Sequence, residues 1–83
     1  MQVLYFSWIR ETIGSDEEIV ALAPTVHTVG DLLAKLCRRG ANYQRAFSDP
    51  GRVRAAVNQT HVTLDHPVSA GDEVAFFPPV TGG

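Results

Sequence analysis

The chain has 83 residues, 45% of them hydrophobic and 19% charged, with a formal net charge of -2. A chain this short forms one small domain that buries only about 60% of its unfolded surface, which leaves little room for both a packed core and a deep catalytic cleft. It lacks the basic excess that gathers phosphate backbones, and no apolar run approaches the roughly 18 residues of a bilayer span, so neither nucleic acid nor membrane is an expected partner.

Gln2 to Arg10 (QVLYFSWIR) is dense in β-branched, aromatic and leucine residues and is predicted as the first strand. Because strand-forming residues begin at Gln2, no signal peptide is expected, and the cytoplasm is the expected compartment. Strand alternation puts Val3, Tyr5, Ser7 and Ile9 on one face and Gln2, Leu4, Phe6, Trp8 and Arg10 on the other. Gly14 and Ser15 turn the chain. Glu17 to Ala23 is predicted as a second strand stopped by Pro24, with the acidic run Asp16, Glu17, Glu18 read as a solvated turn.

Thr28 to Gly40 is the clearest helix. Thr28 and Asp31 suit an N-terminal capping box, and Val29, Leu32, Leu33, Leu36 and Cys37 repeat at helical spacing on one face. Gly40 is placed to end it. Ala41 to Phe47 adds a short helical turn before the breaker Ser48-Asp49-Pro50-Gly51. Strands are then predicted at Arg52 to Asn58, His61 to Leu64 and Glu73 to Phe77. The order ββαβββ implies an α+β fold, one mixed sheet of about five strands packed on one main helix, the β-grasp plan.

Catalytic and cofactor signatures are missing from this pattern. The single cysteine, Cys37, excludes an internal disulfide, a CxxC redox pair and cysteine-ligated iron–sulfur centres, including the ferredoxin variant of the β-grasp. It reads as a small core hydrophobe. Lys35, the one lysine, follows no glycine-rich loop. His61 and His66 are at an odd spacing that sends them to opposite faces of an extended segment, so no metal site is expected. Six of the seven basic residues lie between positions 35 and 54, either a solvated helix face or a docking face for an acidic partner.

The C-terminal segment is different. Residues 1–77 are expected to form the domain, and 78–83 (Pro-Pro-Val-Thr-Gly-Gly) an extended tail. Two prolines cannot donate to a ladder and favour a polyproline II path away from the body. Pro79 to Gly83 then reaches about 17 Å. Glycines without Cβ atoms can enter a channel too narrow for other residues, and a glycine carboxylate is the least hindered acyl group a chain can offer. A carboxylate must be activated before a nucleophile attacks it, so Gly83 reads as the reacting group, presented to another protein's active site. The alternative is a frayed terminus.

Ala56-Val57-Asn58-Gln59, Asp65-His66-Pro67-Val68 and the stretch from Gly71 to Gly83 (GDEVAFFPPVTGG) resemble the sulfur-carrier subunits of molybdopterin synthase. Val3-Leu4-Tyr5-Phe6 with Arg10-Glu11 and Gly14 is similar to that family's first strand, whereas residues 15–52 match in plan only. The resemblance implies a ubiquitin-like β-grasp with no bound cofactor. It implies that an E1-like enzyme uses ATP to adenylate Gly83 and that a sulfur donor converts it to a thiocarboxylate. The tail, with Pro79, Val80, Thr81 and Gly82 threading a channel, then enters the large synthase subunit. There the sulfur is donated to cyclic pyranopterin monophosphate, and the side chains that catalyse belong to that subunit. Other readings are a carrier for thiamine synthesis or tRNA thiolation, a ubiquitin-like modifier joined to lysines through Gly83, or a plain binding module.

Strand alternation also predicts a partner surface. Gln2, Arg10 and Glu73 mark the outer face of the first and last strands, which brings Leu4, Phe6, Trp8 and Phe77 outside with them. If these strands are neighbours, Phe6 and Phe77 anchor the large subunit beside the tail's root, with Arg10 at the rim. A second small core on that face is the competing reading.

Overall fold

The computed structural model describes residues 1–79. Its elements are β1 (Gln2–Tyr5), α1 (Ser7–Ile13), β2 (Glu17–Ile19), α2 (Val29–Cys37), α3 (Ala41–Ala46), a single 3-10 turn (Pro50–Arg52), β3 (Arg54–Val57), β4 (Thr60–Val62) and β5 (Glu73–Phe77). The strands form one sheet in the order β2-β1-β5-β3-β4. β1 and β5 run parallel at its centre, and the other pairs are antiparallel. This is the expected mixed sheet, with the first and last strands adjacent.

One buried cluster joins the sheet to the helices. Val3, Tyr5, Val74, Phe76, Ala55 and Val57 meet Val29, Leu32, Leu33 and Leu36 of α2 and Ile9 and Ile13 of α1. Tyr5, Phe47 and Phe76 form an aromatic centre, with Phe47 edge-on to Phe76 at 5.3 Å between ring centroids. The α2 start is the expected capping box. Thr28 Oγ1 accepts from the Asp31 N–H at 3.1 Å, and Asp31 Oδ2 accepts from the Thr28 N–H at 3.2 Å. A further bond from the His27 N–H, the largest influence, holds the Asp31 carboxyl below its ordinary value.

The first strand is shorter than its composition suggests. β1 stops at Tyr5; Phe6 stays extended, and Ser7 turns the chain with a left-handed φ of 58° into α1. Ile9 and Ile13 share the buried face of this helix, and Gly14 closes it at φ 88° with its N–H donating to the Arg10 carbonyl at 2.8 Å. Trp8 and Arg10 therefore leave the sheet. Trp8 packs half-buried against the core, and the Arg52 guanidinium lies 5.2 Å above its ring.

The other boundaries contract for local reasons. β2 ends at Ile19 because the β1–β2 ladder runs out at the amino terminus: its last rung is Val20, fully buried, exchanging backbone bonds with Met1. α2 ends at Cys37, and Arg38 and Arg39 close a tighter last turn onto Lys35 and Leu36 carbonyls, so Gly40 precedes α3. Cys37 sits at the core's edge, and burial pushes its thiol up. β3 begins at Arg54 after the 3-10 turn, and Leu64 falls in the turn after β4.

Glu18 is half-buried, not a free residue of a solvated turn. It faces inward beside Val3 and accepts from the hydroxyls of Tyr5 at 2.8 Å and Tyr43 at 2.9 Å, while Arg39 pairs with it at 3.0 Å. One carboxylate thus ties edge strand β2 to β1, α3 and the end of α2. Burial, reinforced by Glu18, raises the Tyr5 phenol far above its ordinary value.

Candidate functional site

The site is built by strand register. β1 and β5 are parallel, so both finish at one end of the sheet, where Phe6 and Pro78 follow them. Alternation puts Val74 and Phe76 in the core and turns Glu73, Ala75 and Phe77 to the opposite, outer face. The helices' buried residues join the inner cluster, which leaves this outer face uncovered among the described residues.

Two rows of side chains cross that face. The first runs Glu17, Leu4, Ala75, Ala56, His61, each opposite the next on a neighbouring strand. The second holds Phe77 opposite Arg54. Phe6 extends this second row. Its backbone is extended (φ -124°, ψ 155°) and its N–H donates to the Phe76 carbonyl at 3.1 Å, which continues the β1–β5 ladder by one residue. Phe6 is 45% exposed and Ile19, beside Gln2 on the same face, is 79% exposed. The result is an apolar strip of Ile19, Leu4, Phe6, Ala75 and Phe77 reaching Pro78, where β5 ends.

Among the predicted site residues, Phe6 and Phe77 thus come together on the outer face. Arg10 is exposed, but on the second turn of α1 and not on a strand; it stands next to Phe6 because the Arg10 N–H approaches the Phe6 carbonyl at 3.4 Å. Trp8, expected on this face, is absent from it. Pro79 is half-buried at the end of the described chain, whereas Val80, Thr81, Gly82 and Gly83 lie outside the described residues.

Reading His61 as a failed metal ligand missed its position. Its ring centroid lies 5.2 Å from that of Phe77 with planes inclined at 46°, and the short side chains of Ala56 and Ala75 separate it from Leu4. Period-two alternation through Thr60-His61-Val62 was the available signal, with Val62 inward opposite Ala55.

The basic residues are mostly spoken for locally. Arg39 holds Glu18, Arg52 covers Trp8, Lys35 Nζ donates to the Ala21 carbonyl at 2.8 Å, and Arg54 reaches the Gly51 carbonyl at 3.3 Å. These are separate local contacts.

The profile of the ThiS family matches residues 3–83. The chain is 49% identical over 84 residues to the molybdopterin synthase sulfur carrier subunit of Escherichia coli (strain K12), across 100% of this chain and 99% of that one. The protein of the same description from Haemophilus influenzae is 39% identical over 83 residues, with 100% and 99% covered. Among solved structures, small archaeal modifier protein 1 of Haloferax volcanii is similar at a TM-score of 0.78 and 30% identity, covering 96% of this chain and 97% of that one.

Proposed function

The chain belongs to the ThiS family, and from that premise we propose that it is the sulfur-carrier subunit of a molybdopterin synthase, acting in the cytoplasm. The observation that carries the reading is the end-to-end match with the Escherichia coli carrier subunit, which runs through the terminal glycines.

In this reading residues 78–83 are the working tail, and Gly83 carries the reacting carboxylate. An E1-like partner joins it to the α-phosphate of ATP, with loss of pyrophosphate. A sulfur nucleophile then displaces AMP, leaving a C-terminal thiocarboxylate. Inside the large subunit the thiocarboxylate gives its sulfur to cyclic pyranopterin monophosphate. The chain itself supplies a rigid body, a slim leash and a docking surface.

Phe6 and Phe77 anchor the large subunit, with Arg10 at the rim. Reach supports this assignment. The four residues after Pro79 span at most about 14 Å, so a protein that takes Gly83 into its active site must close upon the tail's root. The apolar strip around Phe77 is the surface it meets there.

The likeness to the archaeal modifier gives a second reading, a ubiquitin-like protein joined to lysines through Gly83. Intact-protein mass spectrometry after co-expression with an adenylating enzyme separates the two. A sulfur-for-oxygen gain on Gly83 is expected of the carrier, and isopeptide adducts without that gain would favour the modifier. Deleting Gly83 is expected to abolish molybdopterin formation in the reconstituted synthase; retained activity would overturn the proposal.

A further inference from the structure

We propose that His61 makes docking on the outer sheet face sensitive to protons, so that the large subunit binds the chain with a neutral imidazole and loses affinity as that ring is protonated. The inference rests on the outer face being the docking surface. It concerns how that surface is regulated.

Position comes first. His61 ends the row Leu4, Ala75, Ala56, His61, and its ring leans on Phe77 at 5.2 Å. The two alanines between His61 and Leu4 make a low floor flanked by larger groups, and Ala56, although on the outer face, is only 7% exposed. A partner surface laid over Phe77 therefore covers the imidazole as well. His61 is exposed on edge strand β4 in the free chain, so its charged form is solvated until that partner arrives.

The surroundings do not compensate a positive charge. On β3 the nearest charged residue of this face is Arg54, also positive. On β5 it is Glu73, at the far end of the strand beyond Ala75. Glu17, at the other end of His61's own row, accepts from Gln2 Nε2 at 2.9 Å. In the adjoining turn His66 shares a shallow surface hollow with His61 and Thr60, while Asp65 accepts from the Thr63 hydroxyl. The one ion pair among the described residues, Arg39 with Glu18, lies on the other side of the sheet.

A neutral imidazole presents a flat, weakly polar face that packs on a phenyl ring, whereas an imidazolium must shed its hydration when covered. Histidine changes charge between about pH 8 and pH 5. Covering the ring selects the neutral form, so association weakens as pH falls.

The test is calorimetric titration of the full chain with the large synthase subunit at about pH 7.5 and about pH 5.5, within the range over which histidine side chains in general change charge. The wild-type chain is expected to lose about tenfold in affinity across that range, and His61→Leu to stay within about twofold of its own value at both. Equal pH dependence in the two chains, or tighter wild-type binding in acid, would overturn the proposal. Phe77→Asp at the higher pH separates the premise from the inference. Unchanged affinity there removes the docking surface itself, whereas weakened affinity with a flat wild-type pH profile removes only the role of His61. Far-UV circular dichroism and urea midpoints confirm that each variant is folded.

Discussion

The Phe6 N–H donates to the Phe76 carbonyl across 3.1 Å, one residue past the last β1–β5 register pair. That single bond keeps the chain extended for one more residue and sets Phe6 beside Phe77 just before the backbone turns into α1. The outer apolar strip depends on it, because a helix begun one residue earlier would swing Phe6 off the sheet.

Docking energy is expected to concentrate on this pair. Replacing Phe77 with Asp should weaken association with the large subunit by about 2 kcal/mol, as for a central aromatic anchor. Phe6→Ala should cost about 1 kcal/mol, and neither change should alter the thermal midpoint of the free chain by more than a few degrees. Surface plasmon resonance and differential scanning calorimetry provide the two readouts.

Three non-glycine positions among the described residues carry left-handed backbone that glycine adopts without strain. Ser7 has φ 58°, and Gln59, second residue of the β3–β4 turn, has φ 69° after Asn58 at φ 50°. A pair of positive φ values is the type I′ hairpin geometry, for which Asn-Gly is the favoured sequence. Gln59→Gly should therefore stabilise the chain by about 0.5–1 kcal/mol in urea unfolding, and Ser7→Gly by a similar amount.

Removal of a donor from Glu18 leaves a half-buried carboxylate short of partners. Tyr5→Phe should cost about 2 kcal/mol and Tyr43→Phe about 1 kcal/mol, because Tyr5 is the more deeply buried donor. Combining either with Arg39→Met should give less than the sum, since all three groups share one acceptor. Urea midpoints of the single and double variants test the coupling.

Stability should fall in acid through Asp72. Its carboxylate accepts from Asn58 Nδ2 at 3.0 Å and from the Ser69 N–H at 2.7 Å, and these bonds, the Asn58 amide foremost, hold it below its ordinary value of 3.8. A carboxyl lowered in the folded state contributes stability that is present above its unfolded value and lost as pH falls through the folded one. Asp31 follows the same sign. Urea midpoints of Asp72→Asn should therefore decline less steeply than wild type below about pH 4, and an identical slope would show that these bonds carry no pH-linked stability.

Where neighbouring residues settle an element, the sequence was readable. β5 keeps its predicted bounds because Glu73 to Phe77 alternates cleanly between a turn and two prolines, and α2 starts where Thr28 and Asp31 cap one another. α1 was hidden because Gln2 to Arg10 satisfies a period of two, while the helix depends on the left-handed turn at Ser7, the Ile9–Ile13 spacing and Arg52 arriving over Trp8. Glu18 looked solvated for a similar reason; its partners Tyr5, Tyr43 and Arg39 come from distant parts of the chain. The Phe6–Phe77 pair was legible from alternation once the first and last strands were taken as neighbours, which the β1–β5 pairing supplies, but His61 joined it only through the pairing of β3 with both β4 and β5.

Parallel pairing of β1 with β5 also gives the molecule a polarity useful to an experimenter. Gln2 stands opposite Glu73, so the chain's first residues sit at the end of the sheet where β5 begins, and Phe77 lies a strand length away, about 13 Å along β5. An affinity tag, fluorophore or surface tether attached at the amino end therefore projects from the pole opposite Pro79. Immobilised that way, the body becomes a pedestal that keeps Phe77 and Pro79 on the side away from the support, open to a protein that docks there.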